Sequence, residues 1–161
     1  MKLTTMILGG ASAVLVAACG GGDDVPAVDV EACQHLQGGP FQALTAGAVR
    51  DSSAPGIDDD HVAYQVTLPA RGGGQGGFVF FGAAVAGDYV LFLDGDVDVE
   101  VTDSAGATVA PSATATSSAA CGEVRRRLTV PMELGTYFLD LSSAATEVTA
   151  VIEPATPPGG E

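Results

Sequence analysis

Short apolar runs, cut at regular intervals by glycine, proline, serine and aspartate, restrict this chain more than any other feature. From residue 41 onward eight candidate strands can be marked, at 41–49, 61–68, 77–84, 89–93, 97–102, 123–130, 136–141 and 147–152. Between them lie SSAPG (52–56), GGGQGG (72–77), DGD (94–96) and SAG (104–106). Such residues punctuate a chain because Gly takes φ > 0 freely and Asp and Ser bond their own backbone. Strands recurring every 8 to 12 residues or about that, with no sustained 3.6-residue period, pack face to face. The sequence therefore predicts an all-β fold: an antiparallel β-sandwich of about eight strands, jelly-roll or Ig-like. VDVEACQHL (28–36) reads as a short N-terminal helix stopped by Gly38-Gly39-Pro40. The sandwich domain is expected over 28–153, with PATPPGGE (154–161) as a disordered tail.

The chain begins Met1-Lys2, continues through small or apolar residues 3–18, and reaches Cys19 followed by GGGDD. That run falls short of the about 20 apolar residues a spanning helix needs. A charged start, an apolar middle and small residues at the end read as an export signal. Val16-Ala17-Ala18-Cys19 resembles the lipobox of bacterial lipoprotein precursors. The resemblance implies that Cys19 is diacylated, that residues 1–18 are removed and that the new amino terminus is acylated. Gly20, in place of Asp, is similar to the default sorting pattern for the outer membrane. The expected location is thus the cell envelope, lipid-anchored at the outer membrane on its periplasmic face or the cell surface, with 19–27 as a flexible linker. An ordinary secretory signal with Cys19 left as a free thiol is the alternative. Each buried methylene of an acyl chain contributes about 0.8 kcal/mol, and two chains hold where one does not.

With Cys19 as lipid carrier, Cys33 and Cys121 remain as a pair in an oxidising compartment, which predicts a disulfide between them; two free thiols are the alternative. Once Lys2 leaves with the signal, five arginines face 20 acidic residues, a net charge of −15. Nucleic acid is excluded as a partner, because binding it rests on neutralising phosphates with Lys and Arg. The acidity is not a mark of disorder, since 47% of the residues are hydrophobic.

Four local patterns bear on chemistry. LDGDVDVEV sets Asp94, Asp96, Asp98 and Glu100 at every second position, one face of a strand; this is either a solvated face or a carboxylate ladder for Ca2+. An EF-hand is absent, because its sixth and twelfth positions would be Val99 and Ala105. The two histidines lie in EACQHL and IDDDHVAYQV; if the disulfide draws the first segment onto the sheets, His35, His61 and an aspartate such as Asp58 or Asp60 suit Zn or Cu. The bland alternative is an Asp-rich turn before a strand. GGGQGG satisfies G-x-G-x-x-G but precedes the strand Phe78-Val79-Phe80-Phe81, so it is a hairpin loop and not a dinucleotide site. Arg125-Arg126-Arg127 is a solvated edge or a partner of the acidic ladder. H-E-x-x-H, G-x-S-x-G and any lysine beyond Lys2 are missing, so no enzyme chemistry is expected.

AVAGDYVLFLD (84–94) and PMELGTYFLDL (131–141) echo each other in Gly-x-Tyr and an apolar strand. With DVDVEV and the turn Asp103-Ser104-Ala105-Gly106, this resembles the pre-peptidase C-terminal type of β-sandwich module, which implies a non-catalytic accessory role. The expected function is a lipid-anchored binding or structural module of the envelope, its partner a membrane together with an envelope protein or glycan. The alternative is a lipoprotein that binds Ca, Cu or Zn; no other cofactor is implied.

Overall fold

The computed structural model describes residues 25–59 and 61–156. Residues 16–19, which carry the resemblance to a lipobox, together with Asp60 and residues 157–161, lie outside the described residues. Two sheets face each other, and the all-β sandwich expected from the sequence is the fold. The first sheet runs β1 (Phe41–Thr45), β3 (Ala63–Thr67), β11 (Glu147–Pro154), β6 (Gly87–Leu93), β9 (Arg126–Met132) and β8 (Ala113–Ala115) in spatial order. The second runs β2 (Gly56–Ile57), β5 (Gly74–Ala83), β10 (Gly135–Ser143) and β7 (Val97–Asp103), with β4 (Ala70–Arg71) paired to β5. All eight candidate strands are present, and β2, β4 and β8 are short additions of two or three residues. Pairing is antiparallel except at two edges, where β1 runs parallel to β3 and β2 parallel to β5. Among the described residues no helix is long and apolar enough to cross a membrane.

Alternation decides which side chains enter the core. Along β10, Tyr137, Leu139 and Leu141 are buried while Phe138 and Asp140 between them face outward. Val79 and Phe81 of β5 and Val101 of β7 meet Tyr64, Val66, Leu91, Leu128 and Ile152 of the first sheet. Each such side chain contributes about 1.5–3 kcal/mol by leaving water. The Gly-x-Tyr echo has a structural meaning. Tyr137 Oη donates to the Glu133 carbonyl at 3.0 Å and accepts the Glu133 N–H at 2.7 Å; Tyr89 repeats this on Val85, at 3.1 and 3.4 Å. Two buried phenols thus close the turns that lead into β6 and β10.

β6 breaks the alternation, since Tyr89 to Leu93 are all buried. The reason is the helix α1 (Ala27–Gly38), which covers the outer face of the first sheet. Val28, Ala32, Cys33 and Leu36 fall on one helical stripe and pack on Val90, Phe92, Val151 and Val124. Cys33 is bonded to Cys121, as the cysteine count predicts, and the bridge spans a separation of 88 residues. Asp29, only 4% exposed, takes Arg127 Nε and Nη2 at 3.0–3.2 Å and the Ser118 hydroxyl at 2.7 Å. Gly39, at φ +74, ends the helix by donating its N–H to the His35 carbonyl.

Candidate functional site

α1 and the sheet beneath it bring both histidines together. His35 lies in the last turns of the helix and His61 just before β3, with ring centroids 5.8 Å apart. Glu31 precedes His35 by four residues, which places both on one helix face. Donor atoms of Glu31, His35 and His61 lie within 4.8 Å of one another. The fourth member comes from β11: Glu153 shares the outward face with Val151, under the same helix.

The distances describe a connected cluster. His61 Nδ1 stands 2.9 Å from Glu31 Oε1 and 3.2 Å from Glu153 Oε2. The His61 backbone N–H donates to Glu153 Oε1 at 3.2 Å, and His35 Nε2 is 3.9 Å from that oxygen. His35 Nδ1 donates to the Gly39 carbonyl at 3.2 Å, which orients the ring and leaves Nε2 turned toward the cluster. Metal-binding histidines are typically oriented by such a bond from the other ring nitrogen. His61 holds φ +61, the left-handed region, at a cost of about 1–2 kcal/mol for an L residue. Strain of that kind gathers at ligand clamps and active sites.

Glu153 is the unusual member. It is 1% exposed, and burial pushes its carboxyl above the ordinary value of 4.5. The charges of His61 and His35 pull it back, and Glu31 pushes it further up. Its Oε2, although close to His61 Nδ1, lacks hydrogen-bond alignment and has no hydrogen-bond partner among the described residues. A buried carboxylate left incomplete in this way is costly. Exposure is graded outward from it: the His35 side chain is 17% accessible, Glu31 38% and His61 49%. The cluster therefore has a buried acidic floor and an open mouth.

The other sequence candidates have different settings. Asp58 lies outside the cluster, lining a recess with Phe81, Gly82, Ala84 and Tyr89, and its backbone N–H and that of Asp59 donate to Tyr64 Oη. Among the described residues, the carboxylates beside the imidazoles are glutamates, Glu31 and Glu153; Asp60, one of the two aspartates suggested by the sequence, lies outside them. The acidic ladder is divided. Asp94 and Asp96 fall in the β6–β7 turn, where Asp94 accepts the Thr149 N–H at 2.7 Å. Asp98 pairs with Arg126 at 3.3 Å, and Glu100 accepts the Thr108 hydroxyl at 3.1 Å. Among the described residues, no three of these carboxylates converge. The arginine cluster divides likewise: Arg126 meets the ladder from the opposite sheet, and Arg127 holds Asp29 and lies over the Phe92 ring. Gly72 and Gly73, at φ +57 and +90, form the β4–β5 hairpin turn.

No protein-family model matches the chain, and no curated protein sequence matches it.

Proposed function

We propose that this protein is a membrane-tethered envelope lipoprotein whose sandwich binds a borderline divalent metal, Zn2+ or Cu2+, at His35, His61, Glu31 and Glu153, without catalysis. Two imidazoles beside carboxylates suit these ions, whereas Ca2+ takes six to eight oxygen ligands or about that number. The observation that carries the reading is the buried Glu153, which has His61 Nδ1 at 3.2 Å from Oε2 and His35 Nε2 at 3.9 Å from Oε1, and whose Oε2 lacks a hydrogen-bond partner among the described residues. A cation held there offsets a charge the fold otherwise holds without full compensation. His35 serves as an oriented Nε2 ligand from the rigid helix, and His61 as the exposed ligand at the mouth. Such a mouth leaves an exchangeable position, which suits capture or delivery of the ion. The lipobox Val16-Ala17-Ala18-Cys19 supports the tether and the envelope location.

The test uses residues 20–161, secreted without the lipid. One equivalent of Zn2+ or Cu2+ is expected by elemental analysis, with a rise in melting temperature; a ligand at a hundred times its Kd adds about 2.7 kcal/mol. His61→Ala should abolish both, and Ca2+ should produce neither. The absence of any shift with Zn2+ and Cu2+ would end the metal reading. For the tether, the wild-type chain is expected in the membrane fraction with a mass increment on Cys19, and recovery of an unmodified thiol there would refute it.

A further inference from the structure

We propose that the outer face of the second sheet carries a binding cleft for a neutral sugar ring, separate from the imidazole cluster. Phe80 and Phe138 stand directly opposite each other on β5 and β10, half-buried on the face turned away from the core. Outward positions of a sandwich strand are ordinarily polar. Here the pair floors a cleft of about 510 Å3, walled by Arg50 and rimmed by Ser52, Ser104 and Thr136. That size lies within the range of about 300–1,000 Å3 common for small-molecule sites.

The walls are held in place by close backbone approaches. The Arg50 guanidinium carbon lies 5.4 Å from the Phe138 centroid, and Nη1 donates to Thr102 Oγ1 at 2.9 Å and to the Asp103 carbonyl at 3.4 Å. Gly106, at φ +91, makes room for it, since a Cβ there would meet Nη2 at 2.8 Å. On the other side the Phe80 ring rests against Gly56, where a Cβ would fall 2.5 Å from the ring tip. Two glycines from outside β5 and β10 thus shape the cleft around the aromatic pair.

Charge and hydrogen bonding select the ligand. Asp51, at the cleft margin, spends its carboxylate on the Ser53 N–H and hydroxyl, at 2.8 and 2.5 Å. Arg50 is held by the neutral Thr102 hydroxyl and Asp103 carbonyl, and its single positive charge together with the single negative charge of Asp51 sums to zero at the cleft, which favours a ligand without net charge. The hydroxyls of Ser52, Ser104 and Thr136 make no hydrogen bond with other described residues. A wholly apolar ligand would desolvate those hydroxyls without compensation. An anion meets the field of a chain with net charge −14. A sugar ring meets both demands: its C–H face packs against the apolar phenyl pair, beside the guanidinium that stands over Phe138, and its hydroxyls pair with the rim.

The experiment is affinity electrophoresis of the full chain carrying Cys19→Ala, in native gels cast with dextran, glycogen, xyloglucan or galactomannan. Retardation by at least one polysaccharide is expected. It should be lost in Phe138→Ala and weakened severalfold in Thr136→Val, an exposed position whose change leaves the core untouched. It should persist in His61→Ala, so that failure of the metal reading leaves this outcome unaffected. Free migration in all four gels, or retardation that Phe138→Ala and Thr136→Val leave unchanged, would overturn the proposal.

Discussion

Replacing Cys33 and Cys121 together by alanine tests how much of this small domain depends on one covalent bond. The bridge joins residues 88 apart. In the chain-entropy treatment a closed loop of that length restricts the unfolded chain by an amount equal to about 4 to 5 kcal/mol at 25 °C. Alanine keeps the buried position of Cys33 apolar, and the lost sulfur contacts add about 1 kcal/mol. The helix keeps its other holds, namely Val28, Ala32 and Leu36 on the sheet and Asp29 on Arg127, so the native arrangement is expected to persist. The deficit therefore belongs mostly to the unfolded chain. Guanidinium unfolding of the two proteins without metal should give midpoints that differ by that free energy divided by m. In a thermal scan the loss is worth about 3 to 5 °C per kcal/mol for a domain of this size, or about 15 to 30 °C. A double variant within about 1 kcal/mol of the parent would refute the reasoning, because the chain-entropy term alone exceeds that.

Three further outcomes follow from named contacts. Glu153→Gln should stabilise the metal-free domain at pH 7 by about 1–2 kcal/mol while abolishing the metal-induced rise. A carboxyl raised above 4.5 destabilises the fold at pH above its folded value, so this gain should shrink as pH falls through that value toward 4.5, Glu31, His35 and His61 being the other titratable groups that face the site; urea midpoints across pH measure it, and a gain that grows on acidification contradicts it. Arg127→Met should cost about 3 kcal/mol by leaving Asp29 buried with Ser118 alone, and more than half should return in the double variant with Asp29→Asn. Tyr137→Phe should cost about 1–2 kcal/mol and Tyr89→Phe roughly half as much, because the phenol of Tyr89 makes the longer bonds; equal losses in denaturant melts would argue against that ranking.

What the sequence revealed, and what it concealed, divides along the range of the interaction. The strands were legible because alternation and turn residues act locally, and β10 shows both in GTYFLDL. The parallel edges β1–β3 and β2–β5 were not, since nothing local specifies which distant strand an edge will meet. The disulfide was legible through cysteine arithmetic. Proximity of His35 to His61 followed from it conditionally, because Cys33 lies two residues from His35. The glutamates were overlooked, although both left traces. Glu31 stands four residues before His35 in a helical stretch, and Glu153 is a lone acid closing the apolar run VTAVI. The acidic ladder misled because regular spacing implies one face only while the chain stays extended, and Asp94 and Asp96 belong to a turn.

The position of the sulfur bridge within α1 has a mechanical consequence. Tension applied at residue 25 runs through the helix only as far as Cys33, then crosses to the 121 loop through covalent bonds. Glu31 lies on the loaded side of that junction, and His35 lies beyond it, sheltered. A steady pull would therefore unwind the first turns and withdraw one carboxylate while leaving both imidazoles and Glu153 where they stand.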